Sequence, residues 1–377
     1  MNVLLDVPEV HIGKVDILLD KIPYLSEIIT GMTYIKDKRL VELTVNESDL
    51  DSAQISQLKE SYAALCSSLM NTRVIKERVI RSNLSPNQPA ANQKVRSDLK
   101  RSKYMDELDI QVSAHLDKRF ILIAQQYDAE LREYPTLLDK DNMTRNQYHI
   151  HFPQNVYGVA SIPHDYKVIN KIRITSEKVD SSLVFCGEFL QPCICYHCYE
   201  ELQGRELSQG KMLTGVGKCF RHEIEWRKSK YRRSEFKMRE IVFIGKEDWV
   251  VQSRISIMED VWSFFKSLGL KGRIATATDP FYFSQDMGTK GTYQMMSNAK
   301  YELLVTTLEG KEVSLASFNF CQDTLCSKYD IKDENGTALY SGCVAFGVDR
   351  WKESLMDAYN RDWERIKESL LWRETSF

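Results

Sequence analysis

The sequence predicts an α+β fold built on a mainly antiparallel sheet, and three observations carry that reading. Strand-like runs dominate after residue 135, at 183–185, 239–244, 301–306, 313–320 and 343–348. Helical periodicity is grouped into long blocks at 108–133, 249–268 and 351–371 instead of alternating with each strand. The chain has 377 residues, 43% hydrophobic and 28% charged, enough for a large core and two or three domains.

The elements follow in order. Residues 38–45 alternate as a strand does, and 46–49 supply turn and cap chemistry. A helix is expected over 52–80, with Ile55, Leu58, Tyr62, Leu65 and Leu69 at helical spacing. Pro86, Pro89 and three asparagines mark 82–93 as a linker. Residues 1–95 thus read as a small N-terminal α/β region ending in that linker, and residues 107–377 as the main domain. The 108–133 helix is expected to stop before Tyr134-Pro135. The last helix carries Leu355, Tyr359, Trp363, Ile366 and Leu370 on one face.

Composition excludes several classes. A net charge of −2 gives no global pull toward nucleic acid or membrane. No run approaches the roughly 20 apolar residues of a membrane span. No basic stretch precedes the first apolar residues, so a cytoplasmic protein is expected. Nine cysteines without a secretion signal read as reduced thiols or metal ligands, not as a disulfide framework. One local exception to the charge balance is the 73–103 stretch, with nine Lys or Arg against Glu77 and Asp98. It is either a solvated linker face or a docking site for an acidic partner or RNA.

Three segments carry chemistry. Cys193, Cys195, His197 and Cys198 place four soft donors in six residues, a density that reads as zinc. In an extended strand Cys193 and Cys195 share a face and Cys198 points away, so one ion cannot easily take all four. A site with one or two ligands here and the rest from distant strands fits better than a local finger. Lys218-Cys219-Phe220-Arg221-His222-Glu223 is followed by a loop holding Arg227, Lys228, Lys230, Arg232 and Arg233 with no acid from 226 to 233. That loop is either an exposed hairpin tip or a seat for polyphosphate, to which the planar arginine fork is suited. Gly342-Cys343-Val344-Ala345-Phe346-Gly347-Val348-Asp349-Arg350 leads into the last helix. Its glycines serve either packing or close ligand approach, and Arg350 can meet a phosphate at the helix start.

In order, these pieces resemble the signature of class II aminoacyl-tRNA synthetases. Phe220-Arg221-x-Glu223, the basic loop, Arg232-x-x-x-Phe236 and Glu240 resemble the second motif of that class, and Gly347-x-x-Arg350 the third. A narrower resemblance covers about residues 107–372, through Phe152-Pro153-Gln154-Asn155, Cys195-Tyr196-His197-Cys198, Cys219-Phe220-Arg221-His222-Glu223, Phe236-Lys237-Met238-Arg239-Glu240, Asp279-Pro280-Phe281, Ser317-Phe318-Asn319 and Cys343-Val344-Ala345-Phe346-Gly347. These segments resemble the amino acid:[carrier protein] ligases, truncated relatives of the methanogen-type seryl-tRNA synthetase.

The resemblance implies a class II antiparallel sheet flanked by helices, and a homodimer paired through the 108–133 helix. It implies ATP-dependent activation of a small amino acid and its transfer to the phosphopantetheine thiol of an acidic carrier protein, with no tRNA-binding domain. It implies Cys195, Glu240 and Cys343 as Zn²⁺ ligands, with Cys193 and Cys198 as neighbours. Arg221 would hold the α-phosphate and the substrate carboxylate, Glu223 the adenine amino group, and Phe236 the adenine ring. Arg232 and Arg350 would hold the outer phosphates, and Glu302 and Glu312 the Mg²⁺ ions. Cys321 departs from the family's histidine, and residues 1–95 match no part of the family. The alternative is a methanogen-type seryl-tRNA synthetase charging tRNA. A synthetase-like binding subunit is a third reading, against which the intact residue set stands.

Overall fold

The computed structural model describes residues 1–46, 52–70, 72, 74–84, 104–175, 179–279 and 287–371. Residues 47–49 of the expected cap, the linker beyond residue 84, most of the 73–103 basic stretch, and Pro280-Phe281 lie outside the described residues.

At the N-terminus, β1 (Asn2–Asp6), β2 (Ile29–Ile35) and β3 (Leu40–Val45) form an antiparallel sheet in the order β1-β3-β2. Alternation turns Val3, Leu5, Val41 and Leu43 inward, where the helices Val15–Lys21 and Ser52–Leu69 cover them with Leu18, Leu58, Tyr62 and Leu69. The helix expected over 52–80 ends at Leu69. Beyond it come the β-branched Val74, Ile75, Val79 and Ile80, and Val79–Ser82 becomes β4, an edge strand of a different sheet.

The remaining strands are β5 (Glu130–Arg132), β6 (Leu137–Asp139), β7 (Gly158–Ser161), β8 (Val184–Leu190), β9 (Lys211–Phe220), β10 (Glu235–Gly245), β11 (Gly272–Thr276), β12 (Lys300–Thr306), β13 (Glu312–Gln322) and β14 (Tyr340–Gly347). Eight of the strands form one sheet, ordered β4-β11-β12-β13-β14-β10-β9-β5, antiparallel except for the β5–β9 pair. A smaller sheet, β6-β8-β7, precedes β9 in the chain. The α+β expectation is met.

One face of the large sheet is the core. Ile241, Phe243, Val344, Phe346, Phe318, Leu303 and Ile274 meet the helices Glu107–Gln125, Glu247–Ser267 and Val348–Ala358. Phe120 stacks on Phe346 with centroids 4.3 Å apart, and Phe264 stacks on Trp351 at 5.7 Å. The opposite face carries the candidate site.

Two further helices end differently from the sequence reading. The first was expected to run to residue 133. It starts at a capping box, Asp106 with Asp109, and stops at Gln125; the left-handed Asp128 then turns the chain into β5. The single helix expected over 351–371 is two, Val348–Ala358 and Trp363–Leu371, split where Asn360 and Arg361 adopt positive φ. Ile366 and Leu370 stay buried, so the apolar stripe survives the break. No described helix is long and apolar enough to cross a membrane.

The two parts of the chain touch through the loop between β9 and β10. Trp226 packs against the N-terminal core, and its indole N–H donates to the Ile29 carbonyl at 2.9 Å.

Candidate active site

Strand register assembles the site. Glu240 pairs with Ala345, which pairs with Ser317, which pairs with Glu302. One step along, Val242, Cys343, Asn319 and Lys300 form the next row of the same face. Side chains two apart share a face, so Glu240, Cys343, Asn319, Glu302 and Lys300 all project opposite the helical core. The segment before β9 does not continue as a strand. Cys195–Glu201 is a helix, which sets Cys195 over Glu240 and turns His197 and Cys198 away. His197 stacks on Tyr134 and faces Glu200 at 3.5 Å, while Cys198 is buried beside Tyr134.

The donors form a dense cluster. Ligating atoms of Cys193, Cys195 and Glu240 lie within 4.8 Å of one another, and the Cys193 and Cys195 sulfurs are 3.4 Å apart. Cys343 stands outside that trio but is hydrogen-bonded by the Cys195 and Cys321 thiols, and Asn319 Nδ2 donates to it at 3.3 Å. Glu240 Oε1 accepts from the Ile194 N–H at 2.9 Å. Its Oε2 is buried beside Cys195 with no aligned hydrogen-bond donor among the described residues. Burial, then the charge of Cys343, push the Glu240 carboxyl up to about 8. The Cys195 and Cys321 hydrogen bonds hold the Cys343 thiol well below the usual range, while Cys195 and Cys321 themselves are raised. A buried orphan carboxylate oxygen amid thiols is a donor set that fits a soft divalent ion such as Zn²⁺. Cys193, which the resemblance leaves as a neighbour, is as close to Cys195 and Glu240 as a ligand would be.

Beside this cluster is a second, cationic one. Arg221 leaves the end of β9 with its guanidinium over the Phe236 ring, 5.3 Å from the centroid. Its Nε is buried without a hydrogen-bond partner among the described residues. Arg350 donates from Nε to the Tyr231 carbonyl and from Nη1 to the Ser314 carbonyl, both at 2.9 Å. Burial, and then Arg221, lower its pKa; Arg232 adds to the effect, and Glu302 and Glu223 oppose it. Arg232 Nε donates to Glu223 Oε2 at 2.5 Å. Three guanidiniums brought together in a half-buried place, two of them lowering the pKa of the third, form an anion seat.

The two acids expected to hold Mg²⁺ are not together. Glu302 lies in the Glu240 row, 3.2 Å from the buried Lys300 Nζ, which also donates to Asp279 at 2.6 Å. Glu312 pairs with Thr306 at the far end of β13 and is held by Arg273 Nε and Nη2 at 2.6 and 2.7 Å. It stands roughly 15 Å along the strand from Ser317, the partner of Glu302. A bulge at Leu303/Leu304 adds a residue to β13 here, which sequence spacing alone does not reveal. Sequence reading also passed over Lys300 and did not join Cys321 to the thiol cluster; their alternation within β12 and β13 was the available signal.

The sheet, its helical backing and the arginines at the ends of β9 and β14 define a class II synthetase fold. The seryl-tRNA synthetase of M. kandleri, solved with A. aeolicus tRNASec, superposes with a TM-score of 0.66 at 18% identity, covering 99% of this chain and 78% of that one. No family model matches the chain. Amino acid–[acyl-carrier-protein] ligase 1 of Bradyrhizobium diazoefficiens is 29% identical over 242 residues, 62% of this chain and 72% of the relative. A type-2 serine–tRNA ligase of Methanopyrus kandleri is 22% identical over 262 residues, 64% of this chain and half of the relative. The chain is a homologue of both, on a class II fold.

Proposed function

We propose that the protein activates a small amino acid with ATP to an aminoacyl-adenylate, and then passes the aminoacyl group to the phosphopantetheine thiol of an acidic carrier protein. The observation that carries this reading is the adjacency of the thiol–carboxylate cluster to Arg221 on one sheet face. One side suits a metal-held amine, the other a phosphate, and an amino acid carboxylate fits between.

The amino acid carboxylate attacks the α-phosphorus and pyrophosphate leaves; the thiol sulfur then attacks the acyl carbon and AMP leaves. Arg221 neutralises charge developing at the α-phosphate. Binding exchanges the Glu223–Arg232 pair for contacts to the adenine amino group and an outer phosphate. Arg350 holds the outer phosphates from the opposite side, and adenine stacks on Phe236. Glu302 is the acid proposed for Mg²⁺; Glu312, occupied by Arg273, is not. Cys195, Glu240 and Cys343 would hold Zn²⁺, which when bound would supply Lewis-acid binding of the substrate's neutral amine. A homodimer paired through the Glu107–Gln125 helix completes the proposal.

The test is amino-acid-dependent ATP–pyrophosphate exchange over all twenty amino acids, with and without a zinc chelator. It is followed by transfer to holo-carrier, apo-carrier and bulk tRNA. Exchange with one or two small amino acids, lost on chelation, and a thioester on holo-carrier alone are expected. No exchange from zinc-containing protein would reject the reading. Serine charging of bulk tRNA would favour the second reading, a seryl-tRNA synthetase, to which the basic 73–103 stretch and the type-2 relative lend support.

A further inference from the structure

The loop that carries Arg232 does not stand free. Trp226 is half-buried against the N-terminal core and bonds to the Ile29 carbonyl. Next to it, Arg227 Nη2 donates to Asp20 Oδ1 at 3.1 Å. Tyr24, half-buried at the end of the same N-terminal helical segment, lies within electrostatic reach of Arg232, Glu223, Arg227 and Asp20. On another side, Ile17 and residues 72 and 74–77 wall a cleft of about 440 Å³ whose floor includes Thr276, Asp279 and Glu302. The N-terminal unit therefore borders the loop that carries Arg232, and residues 72 and 74–77 with Ile17 border Asp279 and Glu302 at a separate place.

We propose that the N-terminal unit is a working part of the nucleotide site. Trp226 and the Arg227–Asp20 pair act as positioning residues that fix the loop, so that Glu223 and Arg232 are presented to ATP, with Tyr24 beside them. The inference rests on the reading of 221–236 as the ATP-binding segment. It makes residues 1–69 a determinant of nucleotide affinity, distinct from any docking of carrier or tRNA. The amino acid end of the site, at Cys195 and Glu240, is held by β10, β14 and the Cys195–Glu201 helix. Loosening the loop should act on ATP alone.

The experiment measures Mg-ATP binding, and KM for ATP and for the amino acid in exchange, in full-length wild type and in Trp226→Ala, Trp226→Phe and Asp20→Ala. Asp20 is exposed, so its variant keeps the fold even where loss of Trp226 does not. Trp226→Ala should weaken ATP about tenfold, the order expected when a mutation outside a site displaces a group within it. Asp20→Ala should do so by about threefold, in keeping with an exposed ion pair. Trp226→Phe should recover most of the loss, and KM for the amino acid should not move in any of them. If Asp20→Ala and every folded Trp226 variant bind ATP as wild type does, the inference falls and the ATP reading stands. If wild type itself binds no ATP, both fall.

Discussion

Glu240 shows how far one side chain can be pushed by its surroundings. In metal-free protein the folded state keeps a proton on Glu240 up to about pH 8, whereas the unfolded chain releases it near the ordinary 4.5. Folded protein then binds the extra proton, so this group makes stability fall as pH rises from 4.5 to 8. Glu240→Gln keeps the shape and removes that slope. In chelator, urea unfolding from pH 5 to 8.5 should show the variant gaining on wild type by up to a few kcal/mol, roughly. The depressed Cys343 thiol contributes the opposite sign, but in both proteins. Parallel curves would refute the expectation. With zinc the order reverses: Glu240→Gln, Cys195→Ser and Cys343→Ser should each lose bound metal by elemental analysis. Zinc binding at pH 7 should release the Glu240 proton, seen as a buffer-dependent heat. Arg221, Glu223, Arg232 and Arg350 were legible because motif order survives in one dimension. The convergence of Cys193 on Glu240 and of Cys321 on Cys343 was not, because it depends on how β13 and β14 align and on the Cys195–Glu201 helix.

The strands were largely visible as short strand-like apolar runs; β12 alternates in burial, whereas β10 is buried on both faces from Met238 to Gly245. What escaped were edges and ends. β4 and β5 are three or four residues long and gain their identity only from a neighbour distant in sequence. The break at Asn360–Arg361 has no proline or glycine to announce it. Gly342 and Gly347 looked alike, yet differ. A Cβ on Gly342 would lie 2.3 Å from the Phe243 ring and 2.7 Å from the Asn319 carbonyl; at Gly347 the nearest atom is 3.5 Å away. Gly342→Ala should destabilise by about 1–3 kcal/mol and disturb the adjacent Cys343, while Gly347→Ala should cost far less, by chemical denaturation. The two acids divide in the same way. Glu302→Gln should slow exchange tenfold or more and raise the Mg²⁺ requirement, an order typical of lost charge stabilisation. Glu312→Gln should leave exchange unchanged and cost about 1 kcal/mol or less, as for a partly exposed pair. Equal kinetic losses in the two would restore Glu312 to the site.

At the scale of the whole molecule, charge and core are distributed unevenly. The 73–103 stretch carries about seven excess positive charges in a chain of net −2. Transfer to an acidic carrier should slow with rising ionic strength and with charge reversal at Lys100, Arg101 and Lys103, whereas pyrophosphate exchange should not respond. Unchanged transfer in the triple variant would remove the stretch from docking. The two large apolar clusters, one within residues 3–69 and one around the eight-stranded sheet, are separate, and Trp226 touches the first from within the second part of the chain. That contact spans 197 residues of sequence. Among the described residues, Trp226 alone joins the first cluster from beyond residue 69, and during synthesis it leaves the ribosome 157 residues after Leu69. At ordinary elongation speeds the interval is roughly ten to thirty seconds. Through it the nascent N-terminal unit presents an uncapped apolar seat at Ile29, a natural place for a chaperone to hold the chain until its own indole arrives.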